Sequence, residues 1–388
     1  MSIEVRKSGS ILTTILILSL AFPPSLLGAA ESVSRLRVDG HRIVSARAAD
    51  ADFDGGGQVD LPDFLLFAEA YGSSTEEYDL DGSGSVDFAD FLAFADVYGQ
   101  NVDVVLRGVA VIDPFFLHAS TRRGMEALDR LADDWNVDVI RVPIHPDLWD
   151  RYRDYIPVFV DPIVDWGQRR GVYIFLGWHA HGNPLTGQTE NPEWGYRHPW
   201  RGNPFNPDLS LAIEALDAIA RRYSDLPHVI YGTFNEPAFI TWAEWRPVAE
   251  TLVDVVHNVD PRALVLVSGT DWGYDLSGAL DDPVDRPNVV YETHPYPWKG
   301  EAWKGVLFNL DKTEAVFLGE WGYGHSEDPG RVRQEYARAL VDFCETRSIG
   351  WTAWIWHDEW TPSMLTSFRT FDTTDFGDFV KMVLNGRE

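Results

Sequence analysis

The sequence has almost no cysteine. Cys344 is the single cysteine among 388 residues, so no disulfide can form within the chain. It lies inside a predicted helix, where a buried and unreactive thiol is the expected state. The fold must therefore be held by its apolar core. Hydrophobic residues make up 45% of the chain, which is enough for one large domain and a small one.

Basic clusters are also absent. The chain has 32 Lys and Arg against 60 Asp and Glu, a formal net charge of −28, and its basic residues never form a run longer than two. Such a charge argues against nucleic acid and anionic membranes as partners. Aromatic residues are abundant, with 16 Trp, 14 Tyr and 21 Phe. Most should be core residues, but the surplus of Trp fits sugar binding, because a pyranose ring stacks on an aromatic face.

The first 30 residues have the pattern of a secretory signal. Two basic residues precede an apolar segment at 11–20, prolines follow, and small residues place the cleavage after Ala30. The apolar segment is too short to span a membrane comfortably, although an uncleaved anchor is the alternative. We therefore expect a secreted, extracellular monomer with no membrane contact after cleavage. Residues 31–49 have no clear periodicity and are predicted to be a linker.

Residues 50–100 contain an internal repeat. A loop that begins at Asp52 returns at Asp79, and each copy continues into a similar apolar segment. Oxygen-bearing side chains fall at loop positions 1, 3, 5, 9 and 12, with glycine at position 6, which is the spacing of a calcium loop. The predicted ligands are Asp52, Asp54, Asp60 and Asp63 in the first loop and Asp79, Asp81, Ser83, Asp87 and Asp90 in the second.

This region resembles the paired calcium loops of dockerin modules and related extracellular EF-hand repeats. The resemblance implies bound Ca²⁺ and a protein partner, which the sequence does not identify. Both loops have Asp instead of the longer Glu at position 12, and Gly56 supplies no ligand at position 5 of the first. We therefore expect the second loop to bind calcium more tightly. A flexible acidic spacer is the alternative, but its 13 acidic residues, without Lys or Arg, would repel one another.

From Asn101 onward, strand-like and helix-like segments alternate, which predicts a parallel sheet. Eight strands in about 285 residues have the size and order of a (β/α)8 barrel. The predicted fold is thus an α/β TIM barrel, at residues 101–388, preceded by a small α-helical module. The predicted strands are 104–111, 137–142, 172–178, the segment that begins at 229 and stops at 237, 263–268, 288–292, 315–318 and 349–355. The predicted helices are 122–134, 157–170, 208–223, 243–258, 331–346 and 375–384.

Two predicted strands end in a glutamate. The fourth ends at Glu236, within an Asn-Glu-Pro triplet, and the seventh ends at Glu320. Parallel barrels place their chemistry at the C-terminal ends of strands, and two carboxylates are the minimum for glycoside hydrolysis. One must be protonated to serve the leaving oxygen, and the other must be ionised to attack the anomeric carbon. We expect the charge of Glu320 to raise the pKa of Glu236.

With these residues in place, the segment from 103 to 388 resembles the barrel of glycoside hydrolase family 5. The resemblance implies that Glu236 is the general acid/base and Glu320 the nucleophile. It implies that Arg141 steadies the nucleophile, Asn235 binds the sugar 2-hydroxyl, and Trp354 forms the floor of the sugar subsite. The supporting residues that it places at the site are Arg141, His179, Asn235, His294, Tyr296 and Trp354, with Trp356 as an alternative floor.

The implied activity is retaining endo-hydrolysis of a β-1,4-linked polysaccharide, without a cofactor. β-Glucan is the default substrate of the family, and β-mannan and xyloglucan are alternatives. An open groove with several subsites is expected, because many aromatic residues lie at or after strand ends. These are Trp178, Trp194, Trp200, Trp242, Trp245, Trp272, Trp298 and Trp321.

Two other functions fit parts of the sequence. His179 and His181 have the spacing of a metal-binding pair, as in a metal-dependent amidohydrolase. That site would need further His, Lys and Asp at later strand ends, where this chain has Asn-Glu, His and Glu instead. A non-catalytic glycan-binding barrel is the second alternative, but both carboxylates and their partners are present.

Overall fold

The computed structural model describes residues 33–121, 124–190, 203–324 and 333–386. The chain divides into two compact units. One consists of residues 46–102, and the other combines residues 33–45 with the chain from Asp103 onward. The smaller unit is thus an insertion in the larger one and not an N-terminal extension. The predicted signal segment, residues 1–30, lies outside the described residues.

The smaller unit contains two similar loop–helix segments. Helices Leu61–Ala70 and Phe88–Val97 each begin with a capping box made by two aspartates three residues apart. Val59 and Val86 are fully buried in the preceding loops. Val59 bonds to the backbone after the second helix and Val86 to the backbone after the first, which joins the two repeats. The remaining helical segments are Ala46–Ala51 and the 3₁₀ turn Glu76–Tyr78.

Residues 36–45 form a β-hairpin, so the prediction of a linker is wrong for this stretch. Strands Leu36–Asp39 and Arg42–Ser45 pair in antiparallel register. Gly40 is the first residue of the two-residue turn between them and has φ of 60°. Two-residue hairpin turns need a positive φ at this position, which glycine adopts readily. Leu36 is buried in an apolar cluster with barrel residues such as Phe317. The hairpin therefore belongs to the core of the larger unit.

The larger unit contains a closed barrel of eight parallel strands, which confirms the barrel prediction. Strands that follow one another in sequence are neighbours, and the eighth pairs with the first. Apart from Arg107, every strand residue is buried, which explains the continuous apolar runs. The strands are Arg107–Ala110, Val139–Ile144, Tyr173–Trp178, Val229–Gly232, Val265–Ser268, Val289–Thr293, Val316–Leu318 and Gly350–Ala353.

Helices between and after the barrel strands bury their apolar faces in the core of the larger unit. They are Pro114–Thr121, Gly124–Asp133, Pro146–Arg151, Asp161–Arg170, Leu209–Tyr223, Trp242–His257, Ala302–Leu310, Arg333–Glu345 and Asp375–Asn385. Cys344 is buried in one of them, and burial raises the pKa of its thiol. Within the described ranges, every helix is too short or too polar to cross a bilayer.

Shorter elements complete the larger unit. Two antiparallel strands lie near the C-terminus, and a short parallel pair lies beyond the barrel strands. The minor elements are the strands His181–Gly182, Glu236–Pro237, Leu365–Ser367 and Asp372–Thr373, the π-helical turn Ile156–Val160, the turn Thr270–Gly273, and the 3₁₀ turns Ser277–Leu280 and Pro297–Lys299.

Candidate active site

Glu236 lies just beyond the fourth barrel strand, at the C-terminal end of the barrel. Its backbone N–H donates to the carbonyl oxygen of Ala180 at 3.0 Å. This bond belongs to a short parallel pairing of Glu236–Pro237 with His181–Gly182. The pairing continues the third and fourth strands past the barrel and fixes the backbone that carries the carboxylate. The Glu236 side chain keeps 14% of its surface exposed.

Glu320 follows the seventh strand and is almost fully buried. Arg141 Nη1 donates to its Oε1 at 2.9 Å, and the Tyr296 hydroxyl donates to its Oε2 at 2.9 Å. Each carboxylate oxygen therefore has a donor, which stabilises the anion. Burial and the charge of Glu320 raise the pKa of Tyr296 well above its ordinary value, so the hydroxyl keeps its proton.

Two histidines flank the Glu236 carboxylate. His294 Nδ1 lies 3.0 Å from Oε1, and His181 Nδ1 lies 3.5 Å from Oε2. Burial lowers the pKa of His181 to about 4, so this ring is neutral at pH 7. Burial alone would lower the pKa of His294 too, but the carboxylates of Glu320, Glu236 and Glu292 raise it to about 9. His294 is therefore an imidazolium at neutral pH.

Glu236 and Glu320 share one electrostatic environment. An oxygen of each and a ring nitrogen of His294 all lie within 4.8 Å of one another. Burial would raise the pKa of Glu236, but His181 and His294 lower it below its ordinary value. At Glu320 burial prevails and the pKa is raised. The expected raised pKa of Glu236 is thus wrong for the protein without substrate, because the His294 imidazolium lies against that carboxylate.

The same three groups have the geometry of a metal site, but their carboxylates are already paired with protein cations. Arg141 contacts Glu320 at 2.9 Å, and His294 itself is charged. A divalent cation would be repelled by both charges. We therefore interpret Glu236, His294 and Glu320 as a cluster that shares protons.

Arg141 connects the predicted residues to one another. It lies in the second strand, is 1% exposed, and donates through Nη2 to Asn235 Oδ1. The Asn235 amide nitrogen lies 3.0 Å from His181 Nε2. Because the amide nitrogen can only donate, His181 Nε2 is the acceptor. The ring proton of His181 is therefore on Nδ1 and is directed at Glu236. Both nitrogens of His181 are thereby engaged. This disfavours the amidohydrolase alternative, in which His179 and His181 would bind one metal ion.

Trp354 lies just after the eighth strand at the edge of the site. Its ring stacks on His179, with centroids 5.4 Å apart and planes inclined by 8°. Trp356 is fully buried and contacts Trp135 and Phe371 instead. The alternative role of Trp356 as a subsite floor is therefore wrong. Its ring packs against Trp135, which follows helix Gly124–Asp133, and against Phe371, which follows strand Leu365–Ser367.

Three of the aromatics predicted to line a groove are core residues, each at most 1% exposed. They are Trp178, Trp245 and Trp321. Three others are partly exposed, namely Trp242, Trp272 and Trp298. Trp298 stacks on Tyr296 with centroids 4.3 Å apart, which places it beside the partner of Glu320. Trp194 and Trp200 lie outside the described residues.

Sequence reasoning missed Glu292 in the sixth strand. Its carboxylate lies 3.2 Å from Arg141 Nε and 3.2 Å from His294 Nε2. The available signal was a charged residue within an apolar strand, since a buried carboxylate needs partners. Sequence reasoning also missed Asp113, whose buried carboxylate contacts the ring of His145. The His145 ring in turn meets the His179 ring edge to face.

The loops of the smaller unit each gather three carboxylates whose oxygens lie within 4.8 Å. The sets are Asp52, Asp54 and Asp63 in the first loop and Asp79, Asp81 and Asp90 in the second. Asp52 Oδ1 is buried without a hydrogen-bond partner. Burial and the neighbouring aspartates raise the pKa of Asp60. An oxygen-only set of crowded carboxylates fits a hard cation such as Ca²⁺.

The other predicted ligands flank these sets. Ser83 donates through its hydroxyl to the Ser85 carbonyl at 3.2 Å. Asp87 caps its helix by accepting from the Ala89 backbone at 2.8 Å. Asp60 holds the equivalent position at the first helix. These three residues therefore support the loop conformation around the carboxylate sets.

Residues 96–359 match a family model described as cellulase, glycosyl hydrolase family 5. The chain belongs to glycosyl hydrolase family 5. The match includes every residue of the Glu236 and Glu320 cluster, together with Arg141, Tyr296 and Trp354. Family membership and the geometry above therefore refer to the same set of side chains.

Curated relatives of this family 5 chain include two bacterial endoglucanases. It is 26% identical over 243 residues to endoglucanase A of Evansella cellulosilytica and 28% identical over 203 residues to endoglucanase Z of Dickeya dadantii. These matches cover 59% and 52% of this chain but 44% and 42% of the relatives. The chain thus spans less than half the length of either relative.

Solved structures share the fold of this family 5 chain. β-Glucanase SdGluc5_26A from Saccharophagus degradans, in complex with cellotetraose, has a TM-score of 0.69 at 23% identity and covers 94% of this chain and 98% of its own. Endoglucanase Cel5A of Thermobifida fusca has a TM-score of 0.58 at 22% identity, with coverage of 73% and 92%. At these identities the similarity concerns the fold.

Proposed function

We propose that this protein is a retaining endo-β-1,4-glucanase. The observation that carries the proposal is the closeness of Glu236 and Glu320, since one carboxylate oxygen of each lies within 4.8 Å of the other. Retaining glycosidases hold their two carboxyl groups about 5 Å apart, whereas inverting enzymes hold them about 6.5–9.5 Å apart. The endoglucanases among its relatives support β-glucan as the substrate.

In the first half-reaction, Glu320 attacks the anomeric carbon while Glu236 delivers a proton to the leaving oxygen. The product is a covalent ester between the sugar and Glu320. Arg141 and Tyr296 each donate to one oxygen of the nucleophile and thereby orient it. The anionic site also stabilises positive charge that develops on the sugar ring.

In the second half-reaction, Glu236 acts as a base. Esterification removes the negative charge of Glu320, and Glu236 is then a carboxylate that can accept a proton from water. The water oxygen attacks the anomeric carbon as the ester bond breaks. Two displacements at one carbon give a product with the configuration of the substrate.

Asn235 and Trp354 are the groups that we assign to the sugar. Asn235 precedes the acid/base residue, and Arg141 and His181 fix its amide orientation, which leaves it beside the reacting carbon to bind the 2-hydroxyl. Trp354 offers a flat face supported by the stacked His179 ring. This face serves as the floor of the subsite next to the scissile bond.

Hydrolysis of a panel of soluble polysaccharides tests the proposal. We expect new reducing ends and an early fall in viscosity with carboxymethylcellulose or mixed-linkage β-glucan, and no reaction with the Glu320→Gln variant. Faster hydrolysis of mannan or xyloglucan would replace β-glucan as the assigned substrate but would leave the family and the reaction unchanged. Release of monosaccharide alone, without loss of viscosity, would contradict endo-cleavage. Binding of oligosaccharides without hydrolysis would favour the non-catalytic alternative.

For the smaller unit we propose two Ca²⁺ sites, one at each carboxylate set. Ser83 occupies loop position 5 in the second repeat, where the first has Gly56, so the second site should be the tighter one. The resemblance to dockerin modules supports a protein partner for this unit. The signal-like pattern of residues 1–30 supports secretion, which N-terminal sequencing of protein from the culture medium would test by finding Glu31 as the first residue.

A further inference from the structure

Glu292 is a buried carboxylate that the reaction described above does not use. It is 2% exposed. Its Oε1 lies 3.2 Å from both Arg141 Nε and His294 Nε2, and its Oε2 accepts from the Ser268 hydroxyl at 3.0 Å. Burial would raise the pKa of Glu292, but Arg141 and His294 lower it below its ordinary value. Glu292 is therefore an anion with a partner at each oxygen.

The seventh strand leaves space for this carboxylate. Gly319 immediately precedes Glu320, and a Cβ at position 319 would lie 1.7 Å from Glu292 Oε1. No other residue type fits there while Glu292 keeps its position. The backbone next to the nucleophile is therefore shaped around Glu292.

Glu292, His294 and Glu236 form a line of three hydrogen-bonded groups. The His294 ring meets Glu292 through Nε2 at 3.2 Å and Glu236 through Nδ1 at 3.0 Å. An ionised carboxylate only accepts, and a neutral imidazole has a single N–H to donate. Both contacts are hydrogen bonds only if the ring carries two protons or if a proton lies on one of the carboxyl groups.

We propose that Glu292 is a positioning residue for catalysis: it holds His294 doubly protonated against Glu236, and His294 thereby stores the proton that is used on the leaving oxygen. This inference rests on the proposed function. It also explains how Glu236 can serve as the acid although its own surroundings favour the carboxylate form.

The proton moves in a closed cycle. In the first half-reaction, the Nδ1 proton of His294 moves to Glu236 Oε1. Glu236 then passes a proton to the leaving oxygen as Glu320 bonds to the anomeric carbon and the glycosidic bond breaks. In the second, water gives a proton to Glu236, its oxygen bonds to the anomeric carbon, and the Glu320 ester breaks. The proton then returns to His294. Water is the only co-reactant, and the charge of the site is the same before and after.

Several titratable groups face His294 from neighbouring strands. Glu320 Oε2 lies 4.0 Å from its Nδ1, and Glu236 and Glu292 are in direct contact. Arg141 contacts Glu292 and Glu320, and His179 and His181 interact electrostatically with the ring. Among the three carboxylates, Glu292 is the one whose charge can be removed without removing the acid/base or the nucleophile.

The direct test is the protonation state of His294 in the full-length protein labelled with ¹⁵N-histidine, with His294→Gln used to assign its signals. In the wild type we expect both ring nitrogens to be protonated at pH 7 and to titrate near pH 9. Glu292→Gln should lower that titration by about one pH unit or more. Ser268→Ala, which removes a hydroxyl but no charge, should shift it less. An unchanged titration in Glu292→Gln would overturn the proposal.

Kinetics provide a second readout. Glu292→Gln should move the basic limb of the pH profile of kcat/KM to lower pH and lower kcat/KM on β-glucan about 10- to 100-fold. The loss should be smaller on an aryl cellobioside whose leaving group needs no proton. Equal loss on both substrates at every pH would mean that Glu292 acts through structure alone and would overturn the proposal.

Glu292→Asp keeps the charge and should restore part of the basic limb. If Glu292→Gln does not fold, Glu292→Asp still tests the proposal, because its shorter side chain weakens the contact with His294 and should lower the His294 titration by a smaller amount. A wild type that is inert toward every glycan would refute the proposed function, whereas the NMR titration would still test the role of Glu292.

Discussion

Val44 and Asp103 pair in an antiparallel bridge, although the whole of the 46–102 unit lies between them in sequence. The Val104 N–H also donates to the Ile43 carbonyl at 2.9 Å. The two points at which the inserted unit leaves and rejoins the larger unit are therefore adjacent. The hairpin before the insertion is part of the catalytic unit.

A chain that begins at Asn101 should be less stable than the full chain, because it lacks this hairpin. Leu36 is 2% exposed and packs with barrel residues such as Leu106 and Tyr173. Leu36→Ala in the full chain should lower the free energy of unfolding of the larger unit by about 2–5 kcal/mol. Urea denaturation measures both effects.

The matched control removes the insertion but keeps the hairpin. Residues 46–102 are deleted, and Ser45 is joined to Asp103 by a short glycine-rich linker. This chain should retain the stability and activity of the larger unit. Chelators should not change its activity or its stability, since both carboxylate sets are gone. A truncated chain from Asn101 as stable as this control would contradict the role of the hairpin.

Calcium should bind the two loops unequally. Asp63→Asn and Asp90→Asn change the same position in the two repeats, so they form a matched pair. By calorimetric titration, Asp90→Asn should abolish the tighter site and Asp63→Asn the weaker one. Chelation of the wild type should increase protease cleavage mainly within 46–102. Equal affinities, or loss of the tighter site in Asp63→Asn, would contradict the assignment.

Trp354 and Trp356 should respond differently to the same substitution. Trp356→Ala should lower the free energy of unfolding by about 3–5 kcal/mol, because it opens a cavity in a fully buried cluster, while the folded fraction keeps its turnover. Trp354→Ala should mainly raise KM and lower kcat on β-glucan. Denaturation and kinetics on both variants check this, and a catalytic loss confined to Trp356→Ala would contradict it.

Stability should depend on pH through His294. Its pKa is about 9 in the folded protein against an ordinary value of 6.5, so its contribution is fully present below about pH 6.5 and is lost as the pH rises through about 9. The difference in free energy of unfolding between the wild type and His294→Gln should therefore shrink from pH 6 to pH 10. Urea titrations across this range measure it, and a constant difference would contradict the raised pKa.

The barrel and its two glutamates could be predicted because their signals are local. Each strand is a continuous apolar run, since a parallel barrel buries both faces of its strands. Glu236 and Glu320 stand out as charges at the ends of such runs. The hairpin was missed because its strands have four residues each, although a glycine such as Gly40 at the first position of a two-residue turn is a hairpin signal.

Properties that depend on side-chain directions could not be obtained from spacing. Trp354 and Trp356 look equivalent in sequence and both are buried, yet Trp354 packs with Tyr296 and His179 at the site and Trp356 does not. The pKa of Glu236 was mispredicted because the position of His294 between the two carboxylates, and of Glu292 behind it, is set by contacts among three strands. Such contacts leave no pattern within any one strand.

Azide rescue of two alanine variants tests the central assignment most directly, with an activated β-aryl cellobioside as substrate and ¹H NMR to identify the product. Glu320→Ala lacks the nucleophile, so its turnover should fall by several orders of magnitude, and added azide should give the α-azide by a single displacement. Glu236→Ala should still form the glycosyl ester, and azide should then give the β-azide by two displacements. If the two products were exchanged, the roles of Glu236 and Glu320 would be reversed and the mechanism proposed for this site would be wrong.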